Sequence, residues 1–125
     1  GIDVYRARAL VALKRDGEAA DALEEARRIT PESPSAWLLS ATLSRRMGKL
    51  AEAQQQIERA YDLRPIDPAV GLEAGVIAVL SGRDASARKS WESVIAAAPQ
   101  SAEAANARAY IAQLAVGSGA EPAGR

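Results

Sequence analysis

The sequence has no cysteine, no histidine and no phenylalanine among its 125 residues. Without histidine it lacks the most common general base and the usual metal ligand, and no serine has a histidine to activate it. The stretch GVIAVLSGRDAS has two glycines, but it lacks the lysine and the spacing of a phosphate-binding loop. We therefore expect no enzyme, no cofactor and no metal site. The absence of cysteine leaves the redox compartment unreadable.

The sequence also lacks an excess of either charge and any long apolar run. Lysine plus arginine and aspartate plus glutamate each number 16, and residues 1–31 carry six charges of each sign. Nucleic acid requires a basic surface, so we expect no nucleic-acid partner. No run of 18 apolar residues exists, so we expect no membrane insertion and a soluble protein, with a cytoplasmic location slightly favoured over a periplasmic or extracellular one. Because the sequence begins Gly-Ile-Asp, we expect a trimmed end and a longer parent protein.

What the sequence does contain is a residue pattern that recurs every 34 positions. Pro31, Pro65 and Pro99 are each 34 residues apart, and glycine recurs likewise at Gly48 and Gly82. Small or apolar residues keep the same register in three further columns: Ala19, Ala53 and Ala87; Leu23, Ile57 and Trp91; Ala26, Ala60 and Val94. Agreement among so many positions indicates an internal repeat.

The residues near each proline explain the repeat in physical terms. Ser33, Asp67 and Ser101 have side-chain oxygens that can cap the first turn of a helix. Pro34 and Pro68 follow at the first helical position, where a missing N–H costs little. The prolines of the 34-residue register end the preceding helix, because proline cannot continue it, and glycine midway through each period suits a helix C-terminus. Each repeat is therefore predicted to be helix, short turn, helix, short turn.

This pattern predicts seven helices and no strand. In the first repeat Gly17 lies three residues later than the glycine column predicts, so the second helix is expected to start late. The predicted helices span residues 3–15, 18–29, 34–47, 50–63, 68–81, 84–97 and 102–116. The predicted repeats cover about residues 1–33, 34–67 and 68–101 of one domain, 1–116, and residues 117–125 are expected to be a flexible tail.

The repeat resembles the tetratricopeptide repeat, a helix–turn–helix unit of 34 residues. The third copy departs from the second by having Gly71 where the second has Trp37, and the first copy has Asp3 there. The second copy carries the resemblance best, through Trp37, Ala41, Gly48, Ala53, Ile57, Ala60 and Pro65. The resemblance covers about residues 3–116. It implies an all-α, right-handed α-solenoid of three helix–turn–helix repeats, with residues 102–116 as a C-terminal capping helix.

The resemblance also implies where a partner would bind, because the first helices of such repeats line a concave groove. Each of these helices has three candidate positions, spaced by four and then three residues, so the three share one helical face. The same positions recur in every repeat and form three columns. The candidate groove residues are Val4, Arg8, Val11, Leu38, Thr42, Arg45, Leu72, Val76, Val79, Asn106, Tyr110 and Gln113. They form a partly apolar trough with two arginines and a polar end.

Other interpretations of the same residues remain open. Val4, Leu72, Val76 and Val79 can instead be core between adjacent helices, and Arg8 and Arg45 can be solvated or locally paired. Both tryptophans stand on repeat columns, so we expect them to pack rather than to stack on a ligand.

We predict a non-catalytic protein–protein interaction module that binds a peptide or helix of a partner protein in its concave groove. Two alternatives are a structural module that forms homo-oligomers through a terminal helix, and an accessory domain of a larger enzyme or assembly.

Packing at Ala41 provides a first test. Ala7, Ala41, Gly75 and Ala109 form a column of small residues, at which neighbouring helices are expected to approach closely. Ala41→Leu should overpack that contact and lower the free energy of unfolding by about 1–3 kcal/mol. A denaturation midpoint unchanged by this substitution would remove the argument from small residues.

Overall fold

The computed structural model of the chain describes Val4, residues 6–9 and residues 15–120, and within these ranges every regular element is an α-helix. Val4 and residues 6–9 are helical. The helices that follow are α1 (Asp16–Ile29), α2 (Pro34–Arg46), α3 (Leu50–Leu63), α4 (Pro68–Leu80), α5 (Asp84–Ala97) and α6 (Ala102–Ala120). The prediction of an all-α chain is thus confirmed for the described residues. Residues 10–14, which belong to the predicted first helix, lie outside them.

The start of α1 differs from the prediction. The helix begins at Asp16 rather than at residue 18. Asp16 and Glu18 lie in its first turn, where acidic side chains interact favourably with the positive end of the helix dipole. Gly17 does not interrupt the helix there, because the first-turn N–H groups have no partner within the helix in any case.

The end of the last helix also differs. α6 continues to Ala120, so residues 117–120 are helical and do not belong to a flexible tail. Gly117 and Gly119 each disfavour a helix by about 1 kcal/mol relative to alanine. Neither removes an N–H group or clashes with the preceding turn, as a proline would, so the helix tolerates them. Residues 121–125 of the predicted tail lie outside the described residues.

Side-chain caps start the first helix of the second and third repeats and the last helix, as predicted. The Ser33 hydroxyl accepts a hydrogen bond from a first-turn N–H at 3.3 Å, the Asp67 carboxylate accepts one at 2.9 Å, and the Ser101 hydroxyl accepts one at 3.0 Å. Pro34 and Pro68 occupy the first helical position, where no intrahelical N–H bond is lost. The repeat therefore fixes the helix starts by the same chemistry at intervals of 34 residues.

Glycine permits the tight turn inside each of the last two helix pairs. Gly48 and Gly82 both have φ of 79°, a left-handed conformation that residues with a Cβ rarely adopt. Each N–H bonds back to a carbonyl in the last turn of the helix before it, Arg45 and Val79 respectively. The second helix then starts within two residues of the glycine, and so the glycine column predicted from the sequence marks helix ends, as expected.

The chain divides into two compact units, Gly1–Pro65 and Ile66–Arg125, and each has its own core. In the first unit Ala19, Leu23 and Leu43 form a buried cluster with Ala7. In the second unit the buried cluster consists of Ala78, Ala87, Trp91, Val94, Ala104 and Ala107. The large and small columns of the repeat therefore supply the cores, while the prediction of a single domain over residues 1–116 stays a prediction.

The column of small residues is buried at three of its four positions. Ala7, Ala41 and Gly75 are buried, whereas Ala109 is exposed, so the explanation of Ala109 as a close-contact residue is wrong. Gly75 shows why this column is buried, because it faces Trp91 on the second helix of its own pair. Within the described chain no helix follows α6, so Ala109 has no such partner.

Gly75 leaves no space for even a methyl group. A Cβ on Gly75 would lie 2.1 Å from Nε1 of Trp91, far inside van der Waals contact. The indole is itself held in place, since Nε1 donates a hydrogen bond to the Leu72 carbonyl at 3.2 Å and the residue is 3% exposed. The absence of a side chain at residue 75 is thus what allows α4 and α5 to approach with a tryptophan between them.

Gly75→Ala should therefore destabilise the protein, although glycine-to-alanine changes inside helices usually stabilise by up to about 1 kcal/mol. Overpacking against Trp91 should lower the free energy of unfolding by about 1–3 kcal/mol, measured by urea denaturation followed by circular dichroism. Gly17→Ala in α1 is the matched control, because its methyl meets no atom within 4 Å and should be neutral or stabilising. Equal denaturation midpoints for the two variants would show that the contact between residue 75 and Trp91 does not limit stability.

Candidate functional site

The face of α2 that carries the predicted columns is partly exposed. Leu38, Thr42 and Arg45 are each half-buried, and their spacing of four and three residues places them on one side of the helix. This face combines an apolar side chain, a hydroxyl and a guanidinium. It can therefore contact an apolar side chain and pair with an acidic group at the same time.

The corresponding face of α4 is apolar. Leu72, Val76 and Val79 pack in part against the core of the second unit and remain partly exposed. The one charged residue of α4 is Glu73, which is only 9% exposed. The accessible surface of α4 therefore carries no exposed charge. The core interpretation of these residues therefore holds in part, and their place in a groove stays a prediction.

The last helix supplies polar residues at its predicted columns. Asn106 and Gln113 are exposed, and Tyr110 is half-buried. The Tyr110 ring lies 5.2 Å from the Trp91 ring, centroid to centroid, at an interplanar angle of 47°. This tilted contact fixes the phenol ring against the core, so that α6 contributes one anchored ring and two amides.

The groove residues predicted in the first repeat have three different outcomes. Val4 is 8% exposed and belongs to a buried cluster with Ala26 and Ala36, so its assignment to the groove is wrong and the core interpretation is right for it. Its position on the repeat column is shared with Leu38, but a buried valine between helices presents no surface to a ligand. Arg8 is exposed, and Val11 lies outside the described residues.

The two tryptophans do not share one environment. Trp91 is buried, as predicted from its column, whereas Trp37 is half-buried. Nε1 of Trp37 donates to the Pro31 carbonyl at 2.7 Å, which ties the start of α2 to the preceding turn. The guanidinium carbons of Arg27 and Arg59 lie 5.2 Å and 6.0 Å from the Trp37 ring centroid. Trp37 thus contacts cations rather than core, a contact that attracts through the ring quadrupole.

The first unit also holds a polar cleft that the sequence analysis did not predict. The cleft has a volume of about 230 Å³ and is lined by residues of α1, α2 and α3 and of the turn between α2 and α3. Arg27, Ser40, Ser44 and Gln56 supply most of its polar groups. Burial lowers the pKa of Arg27, while the nearby carboxylates of Glu24 and Glu52 act in the opposite direction.

A signal for this cleft was present in the sequence. The tetratricopeptide pattern places leucine three residues after the tryptophan and tyrosine seven residues after it. Counted from Trp37, these positions are Ser40 and Ser44. Two small hydroxyl side chains thus stand where large side chains usually fill space.

The described residues offer neither a metal site nor a membrane span. Val4, residues 6–9 and residues 15–120 contain no group of three acidic side chains arranged to hold a metal ion. No helix among them is long and apolar enough to cross a membrane.

Helix pairs with capped starts, glycine turns and small residues that face the second helix define the class of the fold as all-α helical repeats. Residues 2–43 match the family model described as the tetratricopeptide repeat. The chain has the tetratricopeptide repeat fold, which confirms the resemblance seen in the sequence. No curated protein sequence matches it.

Solved structures of tetratricopeptide domains and type III secretion chaperones share this fold. The first tetratricopeptide domain of Spaghetti (RPAP3), bound to the HSP90 peptide SRMEEVD, is 20% identical, with a TM-score of 0.82 over 92% of this chain and 91% of that one. The translocator chaperone SycD of Yersinia enterocolitica is 10% identical, with a TM-score of 0.85 over 93% and 83%. PcrH, in complex with the chaperone-binding region of PopD, is 15% identical, with a TM-score of 0.82 over 90% and 89%.

Proposed function

We propose that this chain is a non-catalytic interaction module that binds a peptide or helix of a partner protein in the concave groove predicted along the first helices of its repeats. The observation that carries the proposal is the accessible surface of α4, where Leu72, Val76 and Val79 are partly exposed and no exposed charge interrupts them. Partly exposed apolar surface of this kind commonly marks an interaction site. RPAP3 and PcrH, which share the fold, are solved with a peptide and with a partner segment respectively.

The residues of the two faces specify the chemistry of the ligand. Apolar side chains of the partner segment would lie against Leu38 on α2 and against Val76 on α4. An acidic residue would pair with Arg45, whose guanidinium can form two parallel hydrogen bonds with a carboxylate. None of the residues in the predicted columns is acidic, so none of them would repel that carboxylate. Because the contact is short and partly exposed, the affinity should be modest, in the micromolar range.

Self-association through the last helix is a second candidate function. Val116 on α6 is 72% exposed, and Ile111 and Leu114 on the same helix are partly exposed. A second copy could cover these side chains. Light scattering of the isolated chain over a range of concentrations tests this function, because self-association raises the average mass as the concentration rises.

Groove binding is tested with peptides selected from a random library on the intact chain. The selected peptides should contain apolar residues and an acidic residue. Leu38→Glu and Val76→Glu should each abolish their binding, since a carboxylate would replace apolar contact, whereas Arg45→Ala should weaken binding less. Calorimetric titration gives the affinities, and circular dichroism checks that helix content is native in every variant.

Gln55→Glu provides the control for added charge, because Gln55 is exposed on α3 and lies outside the predicted columns. This variant should bind the peptides as the parent chain does. Binding that survives both Leu38→Glu and Val76→Glu, but is lost on changing exposed residues of α3, would contradict the groove and assign the site to the second helices.

A further inference from the structure

The polar cleft of the first unit lies on the side of α2 that faces away from the predicted peptide-binding face. Its α2 residues are Ser40, Leu43 and Ser44, followed by Met47 just after the helix, whereas the predicted columns use Leu38, Thr42 and Arg45. Ser40, Ser44 and Met47 are each two positions later than a column residue, and Leu43 is two positions before Arg45, which is a rotation of about 200° around a helix of 3.6 residues per turn. Any ligand of the cleft is therefore independent of the peptide.

A network of hydrogen bonds forms one end of the cleft. Arg27 donates through its guanidinium to the Ser40 hydroxyl, which in turn donates to the Ala36 carbonyl at 2.7 Å. The Ser44 hydroxyl donates to Oε1 of Gln56 at 2.6 Å. Because Ser40 is already both donor and acceptor, the groups with donor capacity to spare are the other guanidinium N–H groups of Arg27 and the amide Nε2 of Gln56. This end of the cleft is accordingly a donor-rich site.

Arg27 is held in place without a direct counter-ion. Its guanidinium carbon lies 5.2 Å from the Trp37 ring centroid, so the ring and Ser40 together position it. Among the described residues no carboxylate forms an ion pair with Arg27; the ion pairs seen at its helix involve Arg15 with Glu18 and Arg28 with Glu25. A half-buried cation with donors to spare favours a carboxylate, which can accept two of its hydrogen bonds.

Two carboxylates line the cleft, each about one helical turn from one of the donors. Glu24 on α1 is three residues before Arg27, and Glu52 on α3 is four residues before Gln56. The next turn brings Ala20 on α1 and Lys49 just before α3, and Met47 lies just after α2. A donor and an acid thus lie about one helical turn, ~5.4 Å, apart on α1 and again on α3. Apolar side chains, Leu23, Leu43 and Met47, line the cleft beside them.

We propose that this cleft binds a zwitterionic α-amino acid with an apolar side chain. Its carboxylate lies on Arg27 and Gln56, its ammonium lies near Glu24 and Glu52, and its side chain lies against Met47. The charged lining residues include two cations, Arg27 and Lys49, and two anions, Glu24 and Glu52, so the site matches a ligand of zero net charge. A volume of about 230 Å³ is below the ~300–1,000 Å³ of pockets for drug-sized ligands, as suits one amino acid.

The ligand chemistry is tested with three probes of nearly equal shape: L-leucine, leucinamide and 4-methylpentanoate. Leucinamide lacks the carboxylate, and 4-methylpentanoate lacks the ammonium. In ¹H–¹⁵N NMR titrations of the intact chain, leucine should shift the amide signals of residues that line the cleft, with a Kd of about 1 mM or tighter. Each of the other two probes should bind about tenfold more weakly, because one charged hydrogen-bonded group is missing. Absence of leucine binding, or equal binding of all three probes, overturns the proposal.

Variants locate the site on the chain. Arg27→Met keeps a long side chain beside Trp37 and should abolish leucine binding. Arg28→Met is its matched control, because Arg28 is exposed and pairs with Glu25 outside the cleft, and it should leave binding unchanged.

Ser44→Tyr is a second variant that does not depend on Arg27. It restores the tyrosine of the repeat pattern, keeps a hydroxyl and fills the cleft, so the chain should fold and lose leucine binding. Leucine binding that persists in folded Ser44→Tyr or Arg27→Met protein contradicts the site. Neither result bears on the peptides that bind α2 and α4.

Discussion

The absence of a side chain at Gly75 is the constraint on which the packing of the second unit depends. Trp91 occupies the space that a Cβ would take, and its indole N–H is satisfied by a backbone carbonyl of α4. The tryptophan in turn supports Tyr110 on the last helix. One short residue on the first helix of the pair thus allows a large one on the second to join three helices in a single core.

The same division of residues between small and large determines which surfaces remain for function. Buried alanines and buried large apolar residues supply the cores, and Leu72, Val76 and Val79 of α4 are left partly exposed with no exposed charge among them. In the first unit, Ser40 and Ser44 are small but polar, and the space beside them is a cleft instead of a filled core. A core built by close helix approach thus has two consequences, an apolar face and a polar cavity.

The sequence predicted the features of the fold that depend on local chemistry. Caps at Ser33 and Asp67 and glycine at residue 48 act through their own backbone neighbourhood, so one period was enough to place these helix ends. The predictions about burial that were wrong depend on which helix lies opposite. Val4 is buried although it shares a column with half-buried Leu38, and Ala109 is exposed because no described helix follows its own. The cleft was not predicted because it depends on two large side chains that this chain lacks. The repeat pattern has leucine and tyrosine at the positions of Ser40 and Ser44.

We propose that the first helices of the repeats, rather than the second, contact a partner. Amide hydrogen exchange of the intact chain, with and without a selected peptide, tests this claim most directly, because it reports each helix without altering any residue. We expect the peptide to slow exchange in α2 and α4 and to leave α3 and α5 nearly unchanged. Protection confined to α3 and α5, or to the C-terminal turns of α6 in the absence of any peptide as the concentration of the chain rises, would contradict it.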